Sequence, residues 1–326
     1  MTNRIQWIDN ARGLCLLFVM AHHTGMAEMW MVKIYLPVFL TLFFFISGYL
    51  FVNPNKEVRI VQKILNIFTS LLLPYFIYCA ITSLTHLATG GYEAFMDDIK
   101  ISLCGVKSWF ISALVVTELF GIFTLVYRKY RILLCVIFLF LSMAIYLYLP
   151  YQEYLWNFRN AMFADVYFAI GMLCRYHNVT QYFLKNKVGS VLTCIYACLV
   201  LTDCIYKVNV GNFNETFSNY PFFIMESLFG IPAFIWLCSK INRFNKLVLF
   251  IGTNSLLYYY LQSSFIRGVL IIYNKAGFSL PQWVSMVIVL LVVSLIIAIP
   301  VILINKYMPV MSGKYRIKLK NKIINN

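Results

Sequence analysis

Long apolar segments recur from one end of this chain to the other, and they constrain its fold more than any other feature. Each is about 17 to 25 residues long, which is the length that an α-helix needs to cross roughly 30 Å of hydrocarbon. Of the 326 residues, 61% are hydrophobic and only 12% are charged, a balance that excludes a soluble globular domain. We therefore predict an all-α, polytopic membrane protein.

About ten such segments fill the chain and leave no room for a second domain. We predict a single membrane domain over residues 1–326, with a short basic cytoplasmic tail at about 305–326. The predicted spans are approximately 8–28, 34–52, 64–88, 108–127, 132–150, 161–175, 188–206, 221–238, 247–267 and 283–304.

Basic residues are distributed unevenly between the loops, and this bias sets the expected orientation. If the N-terminus is cytoplasmic, about 20 of the 27 Lys and Arg residues fall on the cytoplasmic side. An even number of spans then places both termini in the cytoplasm. The net charge of +15 is explained by this bias and by contact with anionic lipid, so no nucleic-acid partner is expected.

The first apolar segment carries residues that a lipid-facing helix would not tolerate. Asp9, Arg12, His22 and His23 all lie within the stretch WIDNARGLCLLFVMAHH. Polar and charged residues inside a membrane face a cavity or a partner and often mark functional sites. The alternative is that Arg12 extends to the interface and that the histidines are hydrogen-bonded packing residues between helices.

Arg12 and His23 share one face of the predicted helix, because eleven steps of about 100° leave a remainder of only about 20°. Roughly 16 Å separate them along the axis, with Arg12 at the cytoplasmic end and His23 a little past the middle of the membrane. Asp9 lies one turn before Arg12 and could pair with it. A guanidinium suits a phosphate-bearing cosubstrate, and a buried imidazole suits removal of a proton from a hydroxyl.

Further polar or aromatic residues are candidates for the same site. Glu118 could orient His23 or bind an acceptor hydroxyl, and a structural hydrogen bond between helices is the alternative. Ser47 and Gly48 could approach the donor or stabilise a carbonyl oxyanion, whereas close helix packing also explains a pair of small residues. Trp109 could stack on an adenine or a sugar, or belong to the interfacial aromatic belt.

Four more charged residues occur within or near the apolar segments. Arg159 and Asp165 could line an outer acceptor cavity or form an ion pair with each other. Asp203 and Glu226 are secondary candidates, because a position near a helix end could expose either to water. No cluster of His and Cys has the spacing of metal ligands, so no metal site is predicted.

Five motifs, taken in order, resemble those of the acyltransferase 3 family of integral membrane acyltransferases. The first helix of that family carries an Asp, a basic residue followed by Gly, and a His after ten intervening residues, and here IDNARG leads to His23 rather than His22. FFFISGYL (43–50), WFISAL (109–114) and YFAIGMLCR (167–175) resemble three further motifs. IGTNSLLYYYLQ (251–262) is similar to a segment that often ends in His, where this chain has Gln262.

The resemblance implies an activity. Members of the family transfer an acyl group, usually acetyl, from coenzyme A in the cytoplasm to a hydroxyl of a carbohydrate or another envelope acceptor. We therefore expect an O-acetyltransferase of the bacterial inner membrane, with acetyl-CoA as donor, a carbohydrate as acceptor and membrane lipid as its surroundings. The resemblance makes Arg12 and His23 essential residues. The expected catalytic residues are His23, Arg12, Asp9 and Glu118, and those expected to bind the donor are Arg12, Ser47 and Trp109.

Two other classes of protein are compatible with the same residues. A proton-coupled transporter or flippase for a glycan or small metabolite would use acidic and basic residues as a relay through a central cavity. The relay residues would be Asp9, Arg12, Glu118 and Asp203. An inactive relative that scaffolds an envelope complex is the third possibility.

Overall fold

The structure is a computed structural model, and it describes residues 5–54, 59–208, 211, 213, 216–241 and 246–315, except for the side chain of Arg128. Every regular element within these residues is helical, as the sequence predicts. Two of the basic loop residues, Lys56 and Arg243, and the end of the predicted tail, residues 316–326, lie outside the described residues.

Thirteen α-helices follow one another in this part of the chain, joined in places by short π and 3₁₀ segments. They are α1 (Gln6–Thr24), α2 (Met29–Phe51), α3 (Ile60–Ile67), α4 (Leu73–Leu103), α5 (Trp109–Val126), α6 (Arg131–Tyr148), α7 (Phe158–Tyr176), α8 (Thr180–Phe183), α9 (Asn186–Tyr206), α10 (Tyr220–Lys240), α11 (Lys246–Thr253), α12 (Ser255–Lys275) and α13 (Gln282–Tyr307). The π segment is Phe68–Leu72, and the 3₁₀ segments are Arg128–Tyr130, Leu155–Asn157 and Pro309–Ser312.

Each predicted apolar segment is largely helical, but the helices differ in length and hydropathy, and therefore in whether they could cross a bilayer. Seven helical segments of the described chain are long and apolar enough to do so: Met29–Phe51, Ile60–Leu103, Trp109–Val126, Arg131–Tyr148, Asn186–Tyr206, Tyr220–Lys240 and Gln282–Tyr307. α1, α7 and α12 carry the polar residues of the first, sixth and ninth predicted spans and are not among the seven. The chain is an integral membrane protein, and the count of ten spans and the cytoplasmic termini stay predictions.

α1 is shorter than the predicted first span, 8–28. It ends at Thr24 because Gly25 adopts a left-handed backbone conformation, with φ 66°, and donates its N–H to the carbonyl of His22. His23 is therefore the last residue but one of its helix, rather than a residue near the middle of a longer membrane segment.

α4 contains a chain reversal that the sequence analysis missed. The third predicted span is 64–88, and no span is predicted between it and residue 108. Instead, Gly91 breaks the helix with φ 75° and ψ −169°, and residues 92–103 run back along the first half of α4. The hydroxyl of Tyr75 donates to the carbonyl of Ser102 at 2.7 Å and ties the two halves together.

α2 and α7 pack backbone against backbone in the interior of the bundle. A Cβ atom at Gly48 would lie 2.0 Å from the carbonyl oxygen of Phe168, and one at Gly171 would lie 2.1 Å from that of Phe45. Only glycine fits at such distances, so Gly48 serves close helix packing, which was one of its two interpretations. The motifs FFFISGYL and YFAIGMLCR thus form one helix–helix contact.

A buried ion pair joins α2 to α9. The ammonium of Lys33 lies 2.6 Å from a carboxylate oxygen of Asp203, and both side chains are almost fully buried. Glu226 of α10 is also buried and lies within electrostatic range of both residues. The expectation that a position near a helix end exposes Asp203 or Glu226 to water is therefore wrong.

Candidate active site

A cavity of about 810 Å³, here called the arginine cavity, lies beside the first half of α1. Four residues that the sequence analysis singled out border it: Asp9, Arg12, Ser47 and Glu118. Its other polar lining residues include Lys63, Asn66, Ser70, Thr253, Asn254, Ser255, Ser312 and Lys314. Among the described residues, three basic and two acidic side chains therefore border this space.

Arg12 is half-buried, and its guanidinium faces the cavity. Asp9 and Glu118 are close enough to act on its charge electrostatically. The ion pairs of the described residues do not include one between Arg12 and Asp9, so the predicted pairing is a longer-range interaction. Within the described part of the chain, Arg12 therefore forms no ion pair.

The position of Arg12 is fixed by close contact between α1 and α11. A Cβ atom at Gly13 would lie 2.2 Å from the carbonyl oxygen of Val248, and one at Gly252 would lie 1.9 Å from that of Asp9. The glycine after the arginine in IDNARG and the glycine of IGTNS therefore pack two helix backbones together. Both motifs support the arginine cavity by bringing their helices into contact.

Asn254 separates α11 from α12 and organises one polar wall of the arginine cavity. Its side-chain NH₂ donates to the carbonyl of Phe250 at 2.8 Å, and its side-chain oxygen accepts from Lys314 at 2.6 Å and from Asn305 at 2.8 Å. The first part of the predicted tail, 305–326, thus returns to the cavity. The basic stretch from Lys314 onward is expected at the lipid surface, but Lys314 itself binds Asn254 in the wall of this cavity.

Another part of the wall of the arginine cavity comes from α3 and the π segment. Pro74 has no N–H to donate to the carbonyl of Ser70, and the helix widens into a π turn just before it. Ser70 borders the cavity and donates to the carbonyl of Asn66 at 2.5 Å. Lys63 donates to the carbonyl of Phe51 and lies 4.2 Å from the centre of its ring.

A second cavity of about 300 Å³, here called the histidine cavity, lies at the other end of α1. His23 borders it with an exposed side chain. His22 borders it too, although the helical spacing turns it about 100° from His23. Trp109, which the sequence analysis assigned to donor binding, lies in this cavity and not in the lining of the arginine cavity.

Several polar residues of the histidine cavity were not predicted as site residues. Gln262 is 1% exposed, and its side-chain oxygen has no hydrogen-bond partner among the described residues. The hydroxyl of Tyr260 is buried and likewise has no partner in this part of the chain, and its ring stacks on Tyr78 with centroids 4.4 Å apart. Lys107 forms an ion pair with Asp98, which the reversal at Gly91 brings to this end of the bundle.

The two cavities adjoin. Four residues line both of them: Val19, Leu40, Phe110 and Tyr259. The rings of Phe110 and Tyr259 lie 5.4 Å apart, and Ser108 donates a hydrogen bond to the hydroxyl of Tyr259 at 3.1 Å. α1 therefore presents Arg12 to one space and His23 to the neighbouring one.

Other candidates lie away from both cavities. Arg159 and Asp165 are buried on α7, border neither of these two cavities and form no ion pair with each other. The guanidinium of Arg159 lies over the rings of Phe163, at 4.9 Å, and Tyr151, at 5.5 Å. Within the described ranges no group of three or more His, Cys, Asp and Glu residues is arranged to hold a metal ion.

The helical fold and its adjoining polar cavities define an integral membrane protein with an internal polar site. A family model described as an acyltransferase domain matches residues 5–303, and the chain therefore belongs to the acyltransferase 3 family. This membership indicates an acyltransferase, as the sequence motifs implied. Comparisons with curated proteins and with solved structures find no match.

Proposed function

We propose that this protein is an O-acyltransferase that moves an acetyl group from acetyl-CoA to a hydroxyl of an envelope or secreted carbohydrate, in a bacterial cytoplasmic membrane. The observation that carries the proposal is the junction of the two cavities, since Arg12 borders one and His23 the other. A donor with phosphates at one end and a thioester at the other could extend from the first space into the second.

The arginine cavity suits such a donor. Its volume falls within the range of about 300 to 1,000 Å³ that is common for ligand sites. Arg12, Lys63 and Lys314 offer charged hydrogen-bond donors to phosphate oxygens, and a guanidinium can hold two such oxygens at once. Acetyl-CoA would supply the activated acyl group. The apolar residues Leu16, Phe43 and Leu114 would line the space taken by its pantetheine chain, which joins the phosphates to the thioester.

The histidine cavity suits the acceptor. Trp109 and Tyr78 offer aromatic faces to a sugar ring, and Gln262 offers an unpaired acceptor to a hydroxyl. The one basic side chain outside the histidines, Lys107, is already paired with Asp98 among the described residues. With polar groups but no unpaired charge from Lys107, the histidine cavity favours an uncharged, hydroxylated acceptor.

His23 would act as the base. It takes the proton of the acceptor hydroxyl while the acceptor oxygen bonds to the acyl carbon. The carbon–sulfur bond then breaks, and the proton passes from His23 to the departing CoA sulfur. Holding both substrates at the junction supplies the proximity that this step needs.

The test is transfer of label from acetyl-CoA to carbohydrate by the purified protein in lipid, with a panel of neutral sugars and an extract of envelope glycans as acceptors. We expect His23→Ala to abolish transfer and His177→Ala to retain it, because His177 is an exposed histidine at the end of α7 and borders neither cavity. Full turnover by His23→Ala would show that the base is wrongly assigned.

The transporter alternative predicts movement of a substrate without covalent change. It requires Asp203 in the same pathway as Asp9, Arg12 and Glu118, yet Asp203 is paired with Lys33 and borders neither cavity. Uptake of a sugar into vesicles by the wild-type protein, with no label transferred to any acceptor, would favour the transporter over the proposal made here.

A further inference from the structure

The acyl carbon must be attacked where the donor and acceptor spaces meet, if the proposed function holds. Among the described residues, four side chains line both cavities, and three of them, Val19, Leu40 and Phe110, are apolar. Tyr259 is the fourth, and it brings a hydroxyl to the junction. This inference rests on the proposed function and concerns the chemistry at that junction.

The hydroxyl of Tyr259 is arranged as a hydrogen-bond donor. Its oxygen accepts from the side chain of Ser108 at 3.1 Å. The hydrogen bonds of the described residues include none that the Tyr259 hydroxyl donates. Its proton is therefore left for an acceptor in the cavity.

The ring of Tyr259 is held on two sides. It lies 5.4 Å from the ring of Phe110 and 5.7 Å from that of Tyr260, measured between centroids. Together with the bond from Ser108, these contacts fix the direction of the hydroxyl before a substrate arrives. A donor fixed in advance stabilises developing charge without a cost of reorganisation during the reaction.

We propose that Tyr259 is a catalytic residue that donates a hydrogen bond to the thioester carbonyl oxygen and stabilises the oxyanion. As the acceptor oxygen bonds to the acyl carbon, the carbonyl π electrons move onto that oxygen, while Tyr259 keeps its own proton. When the oxyanion collapses, the double bond forms again and the carbon–sulfur bond breaks. Tyr259 thus complements His23, which handles the proton of the attacking hydroxyl.

Ser47 and Gly48 are less well placed for this role, although the sequence suggested it for them. Gly48 lies against the backbone of Phe168, where a Cβ would be 2.0 Å from a carbonyl oxygen. Ser47 borders the arginine cavity and is not in the lining of the histidine cavity. The hydroxyl at the junction belongs to Tyr259.

The kinetic test is Tyr259→Phe, which keeps the ring and removes the hydroxyl. Loss of one oxyanion donor lowers kcat by about 10²- to 10³-fold, with little change in the KM for acetyl-CoA. Tyr258→Phe is the matched control, because the hydroxyl of Tyr258 donates to the carbonyl of Ser294 at 2.9 Å, outside both cavities. Ser108→Ala should give a smaller loss, since Ser108 positions Tyr259.

A spectroscopic test needs no acceptor. Acetyl-CoA carrying ¹³C at its carbonyl is bound to each protein, and the isotope-edited infrared band of the carbonyl is recorded. The band should lie at higher frequency in Tyr259→Phe than in the wild type, and Tyr258→Phe should match the wild type. An unchanged kcat or an unmoved band in Tyr259→Phe overturns the inference. A wild-type protein that neither binds acetyl-CoA nor transfers label overturns the proposed function instead.

Discussion

The guanidinium of Arg12 borders a cavity, and among the described residues it forms no ion pair. Asp9 and Glu118 act on its charge electrostatically. A charged group inside a membrane protein needs a partner or a watery cavity, and under the proposed function the phosphates of acetyl-CoA would be that partner.

Replacing Arg12 should chiefly weaken donor binding. Hydrogen bonds to a charged group are worth about 1.5 to 3 kcal/mol, so Arg12→Gln should raise the KM for acetyl-CoA about 10- to 150-fold. Arg12→Lys should recover part of this loss, because it keeps the charge without the two-pronged geometry. Lys306→Gln, at an exposed position near the end of α13, is the control. An unchanged KM in Arg12→Gln would remove Arg12 from the donor site.

Gln262 should determine how well the acceptor binds. Its buried oxygen has no hydrogen-bond partner among the residues that the structure describes, so a hydroxyl of the acceptor can satisfy it. We expect Gln262→Leu to raise the KM for the acceptor about 5- to 100-fold and to leave the KM for acetyl-CoA unchanged. Gln181→Leu, at an exposed position in α8, should change neither constant. Equal effects on both substrates would argue for a structural role.

The sequence alone brings out the candidate residues of α1, and the reason is local. Asp9, Arg12 and His23 are charged or titratable residues within one apolar segment, and a helical repeat alone places Arg12 and His23 on one face. Lys314 carries no such local signal, and Gln262 is marked only by the motif that ends at it. Lys314 reaches the site only because the chain turns back after α13, and Gln262 only because Asn254 redirects α12.

At the scale of the helices, the motifs prove to be contact surfaces. Gly13 and Gly252 join α1 to α11, while Gly48 and Gly171 join α2 to α7. Polar residues beside these glycines, such as Arg12 and Ser47, then border the arginine cavity. Close helix packing and site formation are therefore served by the same short stretches of sequence.

Gly252→Ala should destabilise the protein. The added Cβ would lie 1.9 Å from the backbone carbonyl oxygen of Asp9, and overpacking of this kind costs about 1 to 3 kcal/mol. Gly268→Ala in α12 is the control, because no atom lies within 4 Å of the added group and alanine favours a helix. Thermal unfolding in detergent should show a lower Tm for the first variant only. Equal Tm values would contradict the packing of α1 on α11.

The ion pair between α2 and α9 should contribute to stability rather than to catalysis. Asp203→Asn removes the carboxylate that lies 2.6 Å from the buried ammonium of Lys33, and breaking a buried ion pair costs about 3 to 5 kcal/mol. Asp97→Asn breaks the exposed pair with Lys100 and should cost at most about 1 kcal/mol. Chemical unfolding measures both. A loss of transfer activity in Asp203→Asn without any loss of stability would instead assign the pair to the reaction.

The helices could be predicted from the sequence wherever a long apolar segment alone determines them. All ten apolar segments are largely helical, because a segment of this length must satisfy its backbone internally in lipid, although Asn254 divides the ninth into α11 and α12. The reversal at Gly91 and the early end of α1 at Gly25 were missed. Both depend on a single glycine in a left-handed conformation, and such a glycine has no distinctive pattern around it.

For the whole molecule, the arrangement follows from burying the polar helices. α1 and α12 both contribute residues to the two cavities and contact each other, while the apolar helices α6, α9 and α13 are mostly exposed at the outside of the bundle. Polar residues in a membrane protein are turned inward in this way because lipid cannot solvate them. The result is a pair of adjoining cavities, with Arg12 in the lining of one and His23 in the lining of the other.

Transfer across a sealed membrane is the most direct test of this account. The protein is reconstituted into vesicles that contain a sugar acceptor, found in the panel assay, only inside, and labelled acetyl-CoA is added only outside. The account predicts labelled acceptor inside the vesicles, and none with His23→Ala. Transfer that occurs only when donor and acceptor are on the same side would contradict a reaction at the junction of the arginine and histidine cavities.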